Sequence, residues 1–144
     1  MKLEIGRVDV WVAGIEDRPG KLAEKLHGLA EAGANLEFLL ARRASGQRQK
    51  AVVFAAPIQG AKQTKAAREL GFHKSKSLHG LRVSGPDKPG LGLMLSQSLA
   101  KADINLRGFS GVAVGKRAVF HIALDTVSDA GKAARVLRRI NTKA

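Results

Sequence analysis

The feature that most constrains the fold of this chain is an internal repeat. At an offset of 70 residues, segments 15–36 and 85–106 share eight identical residues. Further along, the offset falls to 67, where KAAREL at 65–70 matches KAARVL at 132–137. The three-residue difference falls between two glycine-containing polar stretches, which is typical of a hairpin loop of variable length. A period of this size predicts two tandem copies of one small domain.

Each copy has the same order of apolar patterns. The first predicts a strand, a helix, two strands, a helix and a strand at 8–14, 19–32, 35–42, 50–56, 60–70 and 72–78. The second predicts a strand over HGLRVSG, then a helix, two strands and a helix at 89–102, 104–113, 117–124 and 128–139. The fold class is therefore α+β: two tandem ferredoxin-like βαββαβ domains, each an antiparallel sheet with its helices on one face.

The predicted domains cover residues 1–78 and 79–144. Only Asn141–Ala144 follow the last helix, which is too few residues for a fourth strand in the second copy. A bare sheet edge is a site for unwanted pairing. We therefore expect Lys2–Gly6, or a second subunit, to cover that edge.

The turn between the first strand and the first helix is the candidate binding site of each copy. It reads EDRPGKLA at 16–23 and PDKPGLGL at 86–93, with the proline expected in the first helical turn. The first amides of a helix have no internal partner and attract anions, while Gly20 and Gly90 allow a ligand to approach the backbone. Asp17 and Asp87 either cap the helix or pair with a ligand ammonium. Asn35 and Asn105 follow the helix and offer both donors and acceptors, so the pattern suits a free amino acid.

The segments DRPGKLA…GANL and DKPGLGL…ADINL resemble the D-x-P-G-x-L…G-(I/V)-N-I pattern of the ACT domain, and the resemblance covers nearly the whole chain. It implies a non-catalytic regulatory protein that binds an amino acid at interfaces between paired domains, in a homodimer. The ligand-binding residues it implies are Asp17, Gly20, Lys21, Leu22, Asn35, Asp87, Gly90, Leu91, Gly92 and Asn105. Gly92 replaces Leu22 and either opens space beside the turn or permits close helix packing. If only one copy binds a ligand, we expect it to be the second.

Nucleic-acid binding is the main alternative, because 25 Lys+Arg against 12 Asp+Glu give a net charge of +13. RGFSGVAV at 107–114 begins like the signature of an RNA-recognition module but departs from it after Phe109, and only 4% of residues are aromatic. Basic groups such as Arg42, Arg43, Arg48 and Lys50 are interpreted as solvated surface. We therefore do not expect nucleic acid as a partner. A pure protein–protein interaction module is the third interpretation.

No enzyme, metal or cofactor is expected. Cysteine is absent, the four histidines lack metal-ligand spacing, and GFSGV at 108–112 has valine where a nucleophile elbow needs glycine. PGLGL lacks the third glycine of a dinucleotide fingerprint. The N-terminal charges and the lack of a long apolar run predict a cytoplasmic protein with no membrane contact. The sequence does not specify which enzyme or regulator it controls.

Overall fold

The computed structural model describes residues 2–142 and divides the chain into two compact units. The first unit is Asp9–Ser75, and the second unit combines the N-terminal segment up to Val8 with the chain from Lys76 onward. In chain order the elements are β1 (Glu4–Val8), β2 (Trp11–Glu16), α1 (Lys21–Glu31), β3 (Phe38–Arg43), β4 (Lys50–Ala56), α2 (Gly60–Glu69), β5 (His73–Lys74), β6 (His79–Pro86), α3 (Leu91–Lys101), β7 (Leu106–Val114), β8 (Arg117–Leu124) and α4 (Val127–Thr142).

The first unit has the ferredoxin-like order. Its antiparallel sheet runs β3-β4-β2-β5, with α1 and α2 as the two crossovers. Alternate residues of the two central strands are buried with residues of both helices in one core, so the helices cover one sheet face. That core contains Trp11, Ala13, Leu29, Val53, Ala55, Ala67 and Phe72. The predicted fold class is confirmed.

The second unit repeats this arrangement with a strand taken from the other end of the chain. Its sheet runs β1-β6-β8-β7, so β1 occupies the place of the missing fourth strand. The pairing of β1 with β6 is antiparallel and extends from Glu4 opposite Ser84 to Val8 opposite Gly80. The expectation that the N-terminal segment covers this edge is confirmed. The predicted division at 78/79 placed the first residues in the first domain. In the structure they lie in the second unit, because their partner strand β6 belongs to it.

A side chain from the last helix fixes β1 in position. The Asn141 amide accepts a hydrogen bond from the Leu3 backbone N–H at 2.6 Å and donates one to the Leu3 carbonyl at 2.9 Å. The Leu3 side chain is 3% exposed and belongs to the core of the second unit. A Cβ at Gly85 would lie 2.8 Å from Leu3 Cδ2, so glycine at this position makes room for the leucine.

Three local expectations need correction. The strand predicted at 8–14 is interrupted at Asp9–Val10, where the chain passes from β1 in one sheet to β2 in the other. The strand predicted at 72–78 shrinks to His73–Lys74, because the lysine–serine run that follows has no alternating apolar residues to bury. Helices predicted from residues 19 and 89 begin two residues later, after a glycine.

Candidate functional site

The strand-to-helix turn has the same backbone geometry in both units. Gly20 (φ 87°) and Gly90 (φ 84°) immediately precede their helices in the left-handed region that favours glycine. The backbone N–H of Asp17 donates to the Gln49 carbonyl at 2.9 Å, and that of Asp87 donates to the Lys116 carbonyl at 2.8 Å. Each turn is thus tied to the hairpin of its own unit, at positions that correspond in the repeat.

The two aspartates differ in their surroundings. Neither helix has a side-chain cap, so the predicted capping role of Asp17 and Asp87 is wrong. Asp17 Oδ2 instead accepts a hydrogen bond from Arg43 Nε at 2.8 Å. The second unit has Ala113 in place of this arginine, and within residues 2–142 Asp87 forms no ion pair. An arginine therefore already neutralises the carboxylate of the first turn, while the second turn keeps an unpaired one.

The asparagines do not lie beside the turns of their own units. Asn35 and Asn105 are exposed residues between each helix and the next strand, which starts at Phe38 or Leu106. An 11-residue helix is about 16 Å long, and it separates each asparagine from the turn at the other helix end. Within one unit, turn and asparagine are therefore not brought together.

The difference between Leu22 and Gly92 is compensated by a neighbouring strand. A Cβ at Gly92 would meet the Phe120 ring at 3.5 Å, and one at Gly111 would lie only 2.6 Å from it. In the first unit the positions corresponding to Gly92 and Phe120 are Leu22 and Val53. The glycines thus accommodate a larger side chain on β8. The 3.5 Å separation at Gly92 is an ordinary van der Waals contact, so the Phe120 ring borders the space that the missing leucine side chain leaves.

The remaining turn residues are divided between the core and the surface. Leu22 packs against the first core, and Leu91 is 4% exposed in the second, so both side chains hold helices in place. Lys21 is half-buried at the start of α1. Of the predicted residues in the first unit, only Lys21 lines the groove described next.

A groove of about 790 Å³ lies next to the turn of the first unit. Its walls come from the end of β2, the first turns of α1 and the β3–β4 hairpin. The lining residues are Gly14, Ile15, Glu16, Lys21, Glu24, Lys25, Arg42, Ala44, Ser45, Gln47, Lys50, Ala51 and Val52. The sequence assigned Arg42 and Lys50 to solvated surface. The variable length of the hairpin is the signal that could have marked this segment as functional.

Both acidic groups of the groove have basic partners. Arg18 Nε lies 2.7 Å from Glu16 Oε2, and this hydrogen-bonded guanidinium holds the pKa of the Glu16 carboxyl below its usual range. Lys21 Nζ lies 3.4 Å from Glu24 Oε2. The Lys25 ammonium donates to the Leu70 carbonyl at the end of α2.

Two basic residues of the groove form no ion pair with a carboxylate in the described part of the chain. Arg42 donates to the Arg43 carbonyl at 3.2 Å and stacks over Phe54, with its guanidinium carbon 5.7 Å from the ring centroid. In the described part of the chain Lys50 forms no ion pair. The groove therefore has an excess of positive charge on its hairpin wall.

Solved structures of other proteins have the same fold. The chain superimposes on a crystal structure of a protein from Bacteroides thetaiotaomicron with a TM-score of 0.78 and 18% identity, covering 95% of this chain and 90% of that one. It also matches the regulatory subunit of aspartate kinase from Thermus thermophilus, with a TM-score of 0.66, 15% identity and 96% of both chains covered. The regulatory subunit of aspartate kinase from Thermus flavus matches with a TM-score of 0.59 and 18% identity, covering 96% of this chain and 94% of that one.

At these identities the similarity establishes the fold, two tandem ferredoxin-like βαββαβ units, as the sequence predicts. No protein-family model matches the chain, and no curated protein matches it.

In residues 2–142, no three His, Asp or Glu side chains converge as ligands of a metal ion would. Over the same range, none of the helices has both the length and the apolar composition needed to cross a membrane.

Proposed function

We propose that this chain is a non-catalytic regulatory sensor that binds a small ligand, an amino acid or a close relative, in the groove of the first unit. The observation that supports this most is the groove beside a strand-to-helix turn of a tandem ACT-like fold. The regulatory subunits with the same fold support the class of function. The second turn is the less favoured site because Phe120 takes the space beside Gly92.

The expected affinity is modest. A ligand of about ten heavy atoms gains at most about 1.5 kcal/mol per atom, and much of that is lost when an open groove leaves part of the ligand in water. Micromolar to millimolar dissociation constants, about −8 to −4 kcal/mol, follow from this limit and suit the detection of a metabolite.

A thermal-shift screen of the free amino acids, followed by calorimetry on the best ligand, tests this proposal. The blocking variant is Gly14→Leu, since the groove-lining Gly14 has no atom within 4 Å of the position of an added Cβ. The matched control is Gly6→Leu on β1, a strand glycine with equally open surroundings.

We expect Gly14→Leu to abolish the shift and Gly6→Leu to keep it. If both variants bind as the parent does, the groove is not the site. If no small molecule shifts the melting temperature of the parent chain, the sensor function is wrong.

We further propose that the protein is a homodimer that pairs through sheet edges. Five of the seven large apolar side chains exposed in the described residues lie on the edge strands β3 and β7: Leu39, Leu40, Phe109, Val112 and Val114. Unpaired edges with apolar side chains favour strand addition. Val112→Lys should convert a dimer to a monomer in sedimentation velocity, and a parent chain that is monomeric at high concentration would contradict the pairing.

One observation favours nucleic-acid binding as a second candidate function. The second unit contains fourteen of the 25 basic residues and five of the 12 acidic ones. Over α4 and β1, a Cβ position at Gly131 lies 2.9 Å from Arg7 Nη2 and 3.5 Å from Arg135 Nη1. Arg138 Nη2 reaches the Ile5 carbonyl at 3.5 Å. Clustered guanidiniums suit the phosphates of a duplex.

Anisotropy of a labelled duplex at several salt concentrations tests this candidate. A variant with glutamine at positions 7, 135 and 138 should flatten the dependence of log K on log salt by about 0.9 per lost phosphate contact. The control replaces an equal charge in the first unit, at Arg48, Lys62 and Lys65. Equal losses in both variants would indicate a general effect of charge and exclude this surface.

A further inference from the structure

The charges of the groove limit the kind of ligand it can hold. Four basic residues, Lys21, Lys25, Arg42 and Lys50, and two acidic ones, Glu16 and Glu24, line the groove. The ammonium group of any free amino acid needs an acceptor such as a protein carboxylate, and a basic side chain needs a second one, whereas an acidic side chain or a second carboxylate needs a cation. The available acids therefore decide between ligand classes.

The acids around this turn are already paired. Glu16 lies 2.7 Å from Arg18, Glu24 lies 3.4 Å from Lys21, and Asp17 lies 2.8 Å from Arg43. A ligand ammonium would have to compete with a basic side chain of the protein for each of them. The guanidinium of Arg18 also holds the pKa of Glu16 below its usual range, so this acid is not held in a neutral form.

The hairpin wall has the opposite character. Among residues 2–142 Lys50 forms no ion pair, although it lies opposite Glu16 on the neighbouring strand and its charge adds to that of Arg18 in lowering the pKa of that carboxyl. Within the same residues, Arg42 contacts a carbonyl oxygen and an aromatic ring. The two residues lie on the adjacent strands β3 and β4, near the hairpin that joins them. Ser45 and Gln47 of the same hairpin line the groove and add neutral hydrogen-bonding groups.

We infer that the groove binds a small dicarboxylate, because its lining contains more basic residues than acidic ones, with Arg42 and Lys50 on the hairpin as the cations nearest to a ligand carboxylate. This inference rests on the proposed sensor function and specifies its ligand class. An acidic amino acid and a dicarboxylate without an amino group share this chemistry. A ligand with one negative charge would leave part of the excess positive charge unpaired.

Isothermal titration calorimetry of the full chain with matched ligands tests the inference. Glutamate and glutamine have nearly the same shape and differ in the side-chain charge. Succinate and 2-oxoglutarate retain both carboxylates but lack the amino group, lysine reverses the side-chain charge, and inorganic phosphate is a compact dianion. We expect glutamate or a dicarboxylate to bind at least tenfold more tightly than glutamine or lysine. Raising the salt concentration should weaken this binding, because the groove is open to solvent.

Two charge-matched variants locate the contact. Lys50→Gln should weaken binding of the dicarboxylate about fivefold, as expected for one partly exposed ion pair. Lys62→Gln removes the same charge from α2, outside the groove, and should leave the affinity unchanged. Circular dichroism spectra and melting temperatures of both variants establish that they fold like the parent.

Each outcome decides a separate question. If succinate and 2-oxoglutarate bind tightly and glutamate does not, the ligand is a dicarboxylate that has no amino group. If glutamate binds tightly and they do not, the ligand is an acidic amino acid. If glutamine or lysine binds as tightly as glutamate, the inference is wrong, but the sensor function stands. If inorganic phosphate is the only ligand that binds, the inference is also wrong. If none of the free amino acids or dicarboxylates binds, both the inference and the proposed function are wrong.

Discussion

Replacing Leu3 by alanine should destabilise the second unit far more than an ordinary change near a chain end. Leu3 is 3% exposed, and it packs in a core built mainly from β6, β8, α3 and α4. Leucine-to-alanine changes in such cores cost about 2–5 kcal/mol, and the lower half of that range applies here because an edge segment can shift to fill the space. A loss of about 2–3 kcal/mol is a large part of the 5–15 kcal/mol that stabilises a typical domain.

The assay is urea unfolding followed by circular dichroism, with the parent chain and a matched leucine variant. Leu93→Ala removes the same atoms from a side chain on α3 that is 61% exposed, and it should cost less than about 0.5 kcal/mol. Amide exchange should also become faster along β6, because the strand that covers its edge is held less firmly.

A double-mutant cycle of Leu3 and Asn141 tests whether the two side chains hold the same N-terminal segment in place. Asn141→Ala removes two hydrogen bonds to Leu3, at 2.6 and 2.9 Å, each worth about 0.5–1.5 kcal/mol. The two side chains hold the same segment, so the double variant should lose less than the sum of the single losses. Strict additivity, or a cost of Leu3→Ala no greater than that of Leu93→Ala, would refute the docking of this segment.

The other predictions concern the turns and the packing beside them. Gly111→Ala should cost about 1–3 kcal/mol because its Cβ would lie 2.6 Å from the Phe120 ring, and Phe120→Val should recover part of this loss in the same urea assay. Gly90→Ala should cost about 1–2 kcal/mol, since its φ of 84° strains any residue with a Cβ, and a melting temperature equal to that of the parent would contradict this. Arg18→Ala should raise the pKa of Glu16, measured by NMR titration of its side-chain carboxyl. Because folding lowers this pKa, the ion pair stabilises the protein above the unfolded pKa of Glu16, and its contribution disappears as the pH falls through the lowered value.

The repeat explains why so much of the fold could be predicted from the sequence. Two copies of one pattern indicate the same elements twice, and the structure places α1 at 21–31 and α3 at 91–101, 70 residues apart as the identities require. Element ends were harder to predict. The prolines at 19 and 89 suggest that the helices start there, but Gly20 and Gly90 adopt a left-handed conformation, so each helix starts two residues after its proline. The strand predicted at 72–78 was too long, since its polar residues contribute little to the core.

The site was predictable only in part. The sequence could locate the turns, because aspartate, proline and glycine recur in order. It could not show that Phe120 takes the space left by Gly92, since this depends on a contact between distant positions. Nor could it show that Arg43 neutralises Asp17, 26 residues away, or that Arg42 and Lys50 line a groove. These pairings depend on strand register, which local patterns leave open.

The position of β1 has a consequence for synthesis on the ribosome. The strand ends at Val8, and its partner β6 starts at His79, about 70 residues later in the chain. At about 5–20 residues per second, β1 waits several seconds without its partner strand, and longer for the Asn141 side chain. All elements of the first unit are translated during that interval. Translation order therefore lets the first unit fold before the second sheet can close, because β1 must wait for β6.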